Sequence, residues 1–166
     1  MSKIKIISVV RNFEMYERLV KNNPFNKGVD FIVFDNNQEN LGISQRYNSF
    51  LDNYDYKQGA WFIFCHEDWE IKEDLSLRLK DLDKSCLYGP IGAPFAKRIL
   101  WNSAIQGSVE ESQKDGQDLR TAGHYNDTLP VVGTFDCQCL IAHSSLIQQH
   151  HLRFDENLYF DSSKNL

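Results

Sequence analysis

Three consecutive ionisable residues, His66-Glu67-Asp68, follow directly on the apolar segment Trp61 to Cys65. Such a change is typical of the end of a buried β-strand, where the chain leaves the sheet. Mg²⁺ and Mn²⁺ prefer oxygen ligands, and one or two carboxylates usually suffice when phosphate oxygens complete the coordination shell. An ion held here would neutralise a diphosphate leaving group. The alternative is a solvated loop whose acids favour the N-terminus of a following helix, and the residues themselves favour neither interpretation.

Polar residues also follow two earlier apolar segments. Arg11-Asn12 comes after Ile4 to Val10, and Asp35-Asn36-Asn37 comes after Phe31 to Phe34. In nucleotide-binding sheets an acid at the position of Asp35 often holds a sugar hydroxyl or the edge of a base. The alternative, an ordinary turn aspartate, is the more frequent case on composition alone.

A further candidate group, Arg46-Tyr47-Asn48, lies on a predicted helix after Gly42. These side chains could contact a base or a phosphate. Equally, Tyr47 could belong to the core and Arg46 could be solvated, and the pattern leaves both interpretations open.

Apolar periodicity predicts the elements that position these groups. Strands are predicted at the three apolar segments named above. A helix is predicted after each strand, at Phe13 to Val20, at Ile43 to Leu51, and at the turns marked by Leu75, Leu79 and Leu82. The alternation of strands and helices predicts right-handed crossovers and a mainly parallel sheet, in an α/β domain. Ligands bind beyond the carboxyl ends of the strands in such sheets, so we expect the polar clusters to converge.

The second half of the chain is less regular. Its predicted elements are a constrained turn or edge segment at Leu87 to Pro94, a strand at Ile99 to Ile105, a mobile surface loop at Gly107 to Asp118, a strand within Thr134 to His143, and a short helix at Ser144 to His151 capped by Ser144 or Ser145. Cys137 and Cys139 are two positions apart, so both lie on the same face of the predicted strand. Cys65, Cys137 and Cys139 lie in apolar runs without a C-x-x-C pattern, which favours reduced, mostly buried thiols.

Length, charge and hydropathy limit the class of protein to which the chain could belong. The chain has 166 residues, the size of one domain, with the apolar and charged fractions of a globular protein. Its net charge of -5 argues against nucleic acid as a partner, because phosphate backbones bind basic surfaces. No apolar run reaches the length of a membrane helix, so no transmembrane segment is predicted, and neither is a signal peptide. We therefore expect a cytoplasmic protein, or one that is peripheral at the inner face of the membrane.

In sequence order, a series of short motifs resembles the family 2-like glycosyltransferases with the A-type fold, and more closely a small subgroup of bacterial glycosyltransferase-like proteins. The motifs cover nearly the whole chain and are Ile7 to Val10, Phe34 to Asn37, Asn40 to Ile43 continuing through Tyr47-Asn48, Phe62 to Asp68, Gly133 to Cys137 and Leu152 to Glu156. The resemblance implies a Rossmann-like three-layer sandwich with a mainly parallel sheet, in a single domain over residues 1–166. Residues 1–85 would form its nucleotide-binding half and residues 86–166 its acceptor-side half.

The activity that the resemblance implies is metal-assisted transfer of a sugar from a nucleotide-diphosphate sugar, such as a UDP-sugar, to a glycan or lipid-linked acceptor. Asp68 matches the last acid of the family's D-x-D-type motif and would bind Mn²⁺ or Mg²⁺ with the sugar diphosphate. Glu67 is a weaker candidate ligand, and Asp35 would contact the base. The residues implied to bind the nucleotide sugar are Val10, Arg11, Asp35, Asn37, Tyr47, Asn48, His66 and Glu67.

The sequence departs from the family after Phe154-Asp155-Glu156. The family usually carries its catalytic base as an acid further along, whereas this chain reads Ser162 to Leu166 there and stops. Inverting transfer needs a base to deprotonate the acceptor hydroxyl, and the remaining candidates are Asp136, Asp155 and Asp161. The chain would then be a truncated product, a donor-binding fragment or an enzyme with a minimal acceptor site. The main alternative to an enzyme is a non-catalytic nucleotide-sugar-binding or interaction module.

Overall fold

The computed structural model describes residues 3–39, 41–94, 105–112, 119–124, 129–136 and 138–157. The elements in chain order are β1 (Lys3–Val10), α1 (Phe13–Tyr16) with a π-helical continuation (Glu17–Lys21), a 3-10 turn (Pro24–Asn26), β2 (Asp30–Asp35), α2 (Ile43–Asn53), β3 (Ala60–Cys65), α3 (Leu75–Arg78), β4 (Leu87–Tyr88), β5 (Ile91–Ala93), β6 (Gln106–Ser112), β7 (Leu119–His124), β8 (Thr134–Phe135), β9 (Cys139–His143) and α4 (Ser144–His150). The strands form a five-stranded sheet in the order β2-β1-β3-β9-β4 and a four-stranded sheet in the order β7-β6-β5-β8.

The five-stranded sheet is mostly parallel, which confirms the predicted α/β class. β1 pairs in parallel with both β2 and β3, and Ile6 lies opposite Phe31 on one side and Ile63 on the other. All six residues of β3 are buried. Continuous burial requires apolar side chains on both faces of a strand, and the near-continuous apolar runs of β1 and β3 meet that requirement.

α2 packs one side against β3. The helix begins after Gly42, whose amide donates a hydrogen bond of 2.9 Å to the Gln45 side chain. Its helical period brings Tyr47 and Phe50 to one face, where the Tyr47 ring lies 4.9 Å from that of Phe64 and Phe50 contacts the preceding part of β3. This contact confirms the core alternative for Tyr47.

The predicted helix at Phe13 to Val20 is observed as α1 and its π-helical continuation. The Asn12 side chain caps the helix by accepting a 3.0 Å hydrogen bond from the Met15 amide. Tyr16 and Val20 are buried, as the apolar spacing predicts. Among the described residues, no helix combines the length and apolar composition needed to cross a membrane.

Two further helices differ from the predictions. α3 ends at Arg78, short of the predicted Leu82, although Asp74 caps its first turn by accepting from the Ser76 amide at 2.8 Å. α4 is capped by His143, whose Nδ1 accepts from the Ser145 amide at 3.3 Å, so the prediction of a serine cap was wrong. Ser144 instead accepts a hydrogen bond from the backbone amide at the start of β3, which diverts its hydroxyl from the capping position.

The chain divides into two compact units, the first formed by the described residues of Met1–Leu87 and Ile141–Leu166 and the second by those of Tyr88–Leu140. The first boundary lies near the division at residues 85 and 86 that the resemblance implies, whereas the described residues 141–157 belong to the first unit.

The second unit contains the antiparallel pairs of β5 with β6 and β8, and of β6 with β7. The prediction of a mobile loop at Gly107 to Asp118 is wrong for residues 107–112, which belong to β6. The polar strand lacks an apolar period of its own, and its pairing with β5 and β7 supplies the order. Residues 113–118, most of the strand predicted at Ile99 to Ile105, and Cys137 lie outside the described residues.

Candidate functional site

The carboxyl ends of β2, β1 and β3 lie side by side, because these strands are parallel neighbours in that order. The chain passes from β1 to β2 on one side of β1 and then to β3 on its other side, so the strand order reverses between β1 and β3. Open α/β sheets bind ligands in the crevice outside such a reversal. We call the polar segments that follow these strands, residues 11–12, 35–37 and 66–68, the carboxyl edge.

Glu67 connects the ends of β3 and β1. One of its carboxylate oxygens accepts hydrogen bonds from two successive backbone amides, that of Arg11 at 2.5 Å and that of Asn12 at 2.8 Å. Hydrogen bonds to an ionised acceptor are shorter and stronger than neutral ones. The carboxylate therefore joins the two strands at the point where the strand order reverses.

Asn36 and Asn37 connect the ends of β2 and β1. The Asn36 amide donates to the Val10 carbonyl oxygen at 2.9 Å, and the Asn37 side chain donates to the Arg11 carbonyl oxygen at 3.1 Å. Asp35 accepts from the Asn37 amide at 2.9 Å, which is the hydrogen bond of an aspartate turn. The carboxyl edge is thus one hydrogen-bonded unit from β2 through β1 to β3.

A depression of about 240 Å³ opens beside Asp35 and is lined by Asp35, Gln38, Glu39 and Arg46. The Arg46 side chain is only 15% exposed, lies over the Phe34 ring, and donates to Glu39 at 3.3 Å. Arg46 is therefore held against the end of the sheet, where it lines the depression. A larger groove of about 320 Å³ lies under α2 and is lined by residues that include Lys5, Ile32 and Asp55, none of which belongs to the carboxyl edge.

His66, Glu67 and Asp68 form a turn after β3, in which the Trp69 amide donates to the His66 carbonyl oxygen at 3.3 Å. Asp68 is exposed. Burial raises the pKa of the Cys65 thiol to about 12, and the Asp68 carboxylate acts in the same direction, so this charge lies near the end of the strand. Within the described residues, no group of three or more His, Cys, Asp or Glu side chains is arranged to hold a metal ion. The metal-binding role of Asp68 stays a prediction.

Tyr47 and Asn48 are both buried in the first unit. The Tyr47 hydroxyl donates to the Cys65 carbonyl oxygen at 3.3 Å. The Asn48 side chain makes two hydrogen bonds with the backbone of Phe154: it donates to the carbonyl oxygen at 2.9 Å and accepts from the amide at 3.0 Å. It also donates to the Glu156 side chain at 2.8 Å. These contacts give both side chains structural roles, and their predicted nucleotide contacts stay predictions.

The three candidate bases differ in their surroundings. Asp155 follows Phe154, whose ring lies 4.9 Å from that of Phe64 near the end of β3, and its carboxylate accepts from the Asn157 amide at 2.9 Å. Asp136 belongs to the second unit, where it accepts from the Gln138 amide at 3.2 Å. Asp161 lies outside the described residues.

Sequence reasoning gave Glu156 no role in the site, and it named Asn12 only as part of the polar cluster Arg11-Asn12, without its role as a helix cap. Asn12 could have been recognised, because an asparagine immediately before an apolar helical pattern is a common N-cap. Glu156 could not, because its partner Asn48 lies 108 residues away in the sequence.

Comparison of the chain with protein-family models and with curated proteins found no match. Function is therefore inferred from the geometry of the carboxyl edge together with the motifs of the sequence.

Proposed function

We propose that this protein is a glycosyltransferase of the family 2-like class, with a Rossmann-like three-layer sandwich of the A-type as its fold. Its donor would be a nucleotide-diphosphate sugar, such as a UDP-sugar, and its acceptor a glycan or a lipid-linked sugar. It would act in the cytoplasm or at the inner face of the membrane. The observation that carries the proposal is the continuous carboxyl edge at a reversal of strand order, where α/β sheets bind nucleotides.

The depression beside Asp35 suits the nucleoside part of the donor. Asp35 offers a carboxylate to a base edge or ribose hydroxyl, and Arg46 supplies a planar cation held in place by its bonds to Glu39 and to the Asp35 carbonyl oxygen. A volume of about 240 Å³ would take a base or a ribose, while the rest of the donor would extend along the carboxyl edge.

Asp68 fits an oxygen-preferring cation, because its carboxylate is exposed and makes no hydrogen bond or ion pair within the described part of the chain. A single protein carboxylate is enough for Mg²⁺ or Mn²⁺ when diphosphate oxygens supply other ligands. The cation would supply neutralisation of the charge that develops on the leaving diphosphate.

In the proposed reaction an acceptor hydroxyl attacks the anomeric carbon of the donor sugar. The bond from that carbon to the diphosphate oxygen breaks, and the hydroxyl proton passes to a carboxylate. Among the candidate bases Asp155 is favoured, because Phe154 anchors it beside Tyr47 and Phe64 at the carboxyl end of β3. Asp136 and Asp161 stay as the other candidates.

The alternative is a non-catalytic module that binds a nucleotide sugar or a protein partner. One observation favours it: several of the predicted contact residues already bond to the protein itself, among them Asp35, Asn48 and Glu67. The two functions differ in turnover, because only the enzyme releases free nucleotide diphosphate from the donor. Incubation with UDP-sugars and Mn²⁺, with or without simple glycan acceptors, should release UDP from an enzyme and none from a binding module.

The donor site is tested by calorimetric titration of UDP and UDP-sugars, with and without Mn²⁺, on wild type and Asp68→Asn. The matched control is Asp55→Asn, which removes the same charge from the loop that precedes β3. The proposal predicts Mn²⁺-dependent binding that is weakened about 10-fold or more in Asp68→Asn and unchanged in Asp55→Asn. Equal binding by all three proteins would contradict a metal-binding role for Asp68.

A further inference from the structure

Glu67 differs from its neighbours in the turn after β3 because its carboxylate is turned back into the protein. Its Oε2 accepts from the amides of both Arg11 and Asn12, at 2.5 and 2.8 Å. Those amides belong to the turn between β1 and α1, 56 and 55 positions earlier in the sequence, respectively. One oxygen therefore links the segment 11–12 to the segment 66–68. Among the described residues, no backbone hydrogen bond joins these two segments.

The length of the side chain matters to this contact. An aspartate at the same position is one methylene shorter, so its carboxylate would fall short of the two amides unless the turn moved. A glutamine has the length of glutamate, and its amide oxygen can accept from both N–H groups without the negative charge. A divalent cation has the opposite requirement, because it prefers a carboxylate to a neutral amide oxygen.

From this geometry we propose that Glu67 is a positioning residue and does not bind the metal ion. By fixing the turn after β3 to the turn after β1, it holds the adjacent Asp68 in place, and Asp68 would be the residue that contacts the cation. The inference rests on the proposed donor site, and it assigns the metal contact to Asp68 and the support of that contact to Glu67. Hydrogen bonds that orient a ligating segment typically change metal affinity 10- to 100-fold when removed.

The first part of the test is a rank order of variants. Binding of UDP with Mn²⁺ is measured by calorimetry for wild type, Glu67→Gln, Glu67→Asp and Glu67→Ala. A positioning role predicts that Glu67→Gln retains a Kd within about threefold of wild type, while Glu67→Asp and Glu67→Ala weaken binding about 10-fold or more. A metal ligand would give the reverse order, with Glu67→Asp retained and Glu67→Gln lost, and that order would overturn the proposal.

The second part needs no nucleotide and separates the failure of this inference from the failure of the proposed function. Amide hydrogen exchange is followed by NMR at Arg11 and Asn12, with the Ile6 amide in the middle of β1 as the internal reference. In Glu67→Ala the two amides should exchange about 10-fold faster or more, with Ile6 unchanged, and Glu67→Gln should restore most of the protection. Unchanged exchange at Arg11 and Asn12 in Glu67→Ala would overturn the contact itself. If UDP never binds the wild type while this protection is lost as expected, the proposed donor site fails and the structural link stands.

Discussion

Replacing Asn48 by alanine should weaken the attachment of residues 152–157 to α2, to which Arg153 also contributes through Asp52. The Asn48 side chain makes three hydrogen bonds there: two with the backbone of Phe154, at 2.9 and 3.0 Å, and one with Glu156 at 2.8 Å. A hydrogen bond of this kind contributes about 1 kcal/mol net, and a partner left unpaired in a buried position adds to the loss. We therefore expect Asn48→Ala to lower the free energy of unfolding by about 2–4 kcal/mol.

The assay is urea unfolding followed by far-UV circular dichroism, with Asn53→Ala as the matched control. Asn53 lies on the same helix but is exposed, and its side chain makes one described hydrogen bond, of 2.8 Å, to the Ser49 carbonyl oxygen. Its removal should change the free energy of unfolding by about 0.5 kcal/mol or less. Asn48→Asp should be as damaging as Asn48→Ala, because it would set a carboxylate against the Phe154 carbonyl and Glu156. Equal small losses for Asn48→Ala and Asn53→Ala would refute the contribution of Asn48 to this attachment.

Burial lowers the pKa of His143, with Lys84 acting in the same direction, so the unfolded chain takes up a proton before the folded one as the pH falls. The contribution of neutral His143 to the free energy of unfolding should be fully present above the ordinary pKa of about 6.5 and be lost as the pH falls through the lower pKa of the folded protein. The variant His143→Asn keeps an acceptor for the Ser145 amide, so the urea midpoint of this variant should depend less on pH over that range. Gly107 has a φ of +87°, and a Cβ there would collide with the Pro90 carbonyl oxygen. Gly107→Ala should therefore destabilise the second unit by about 1–3 kcal/mol, and an unchanged melting temperature would count against the strain.

The parts of the fold that could be predicted are those in which local pattern and tertiary environment agree. β1 and β3 are near-continuous apolar runs and are buried in the middle of a parallel sheet, and the apolar face of α2 packs on β3. Because parallel strands end at one edge, the convergence of Arg11, Asp35 and His66 also followed from the sequence.

Other parts depend on contacts that no local pattern encodes. β6 is a polar segment that becomes a strand through its partners, and α4 takes its cap from His143 because Ser144 bonds to the start of β3. In the site, the contact of Glu67 with Asn12 joins residues 55 positions apart, and that of Asn48 with Phe154 joins residues 106 positions apart. Side chains of these types are common in turns and helices, so only the folded chain reveals which pairs meet.

The most direct test of the central claim is to map where a nucleotide binds, by titrating ¹⁵N-labelled protein with UDP and Mg²⁺ and following the amide resonances. The account predicts that the largest shifts fall at the carboxyl edge, residues 11–12, 35–37 and 66–68, and that they weaken when Mg²⁺ is removed. Shifts concentrated instead at the opposite end of β3, around Gly59 and Ala60, or no shifts with UDP or other nucleoside diphosphates, would contradict a nucleotide-sugar site at this edge.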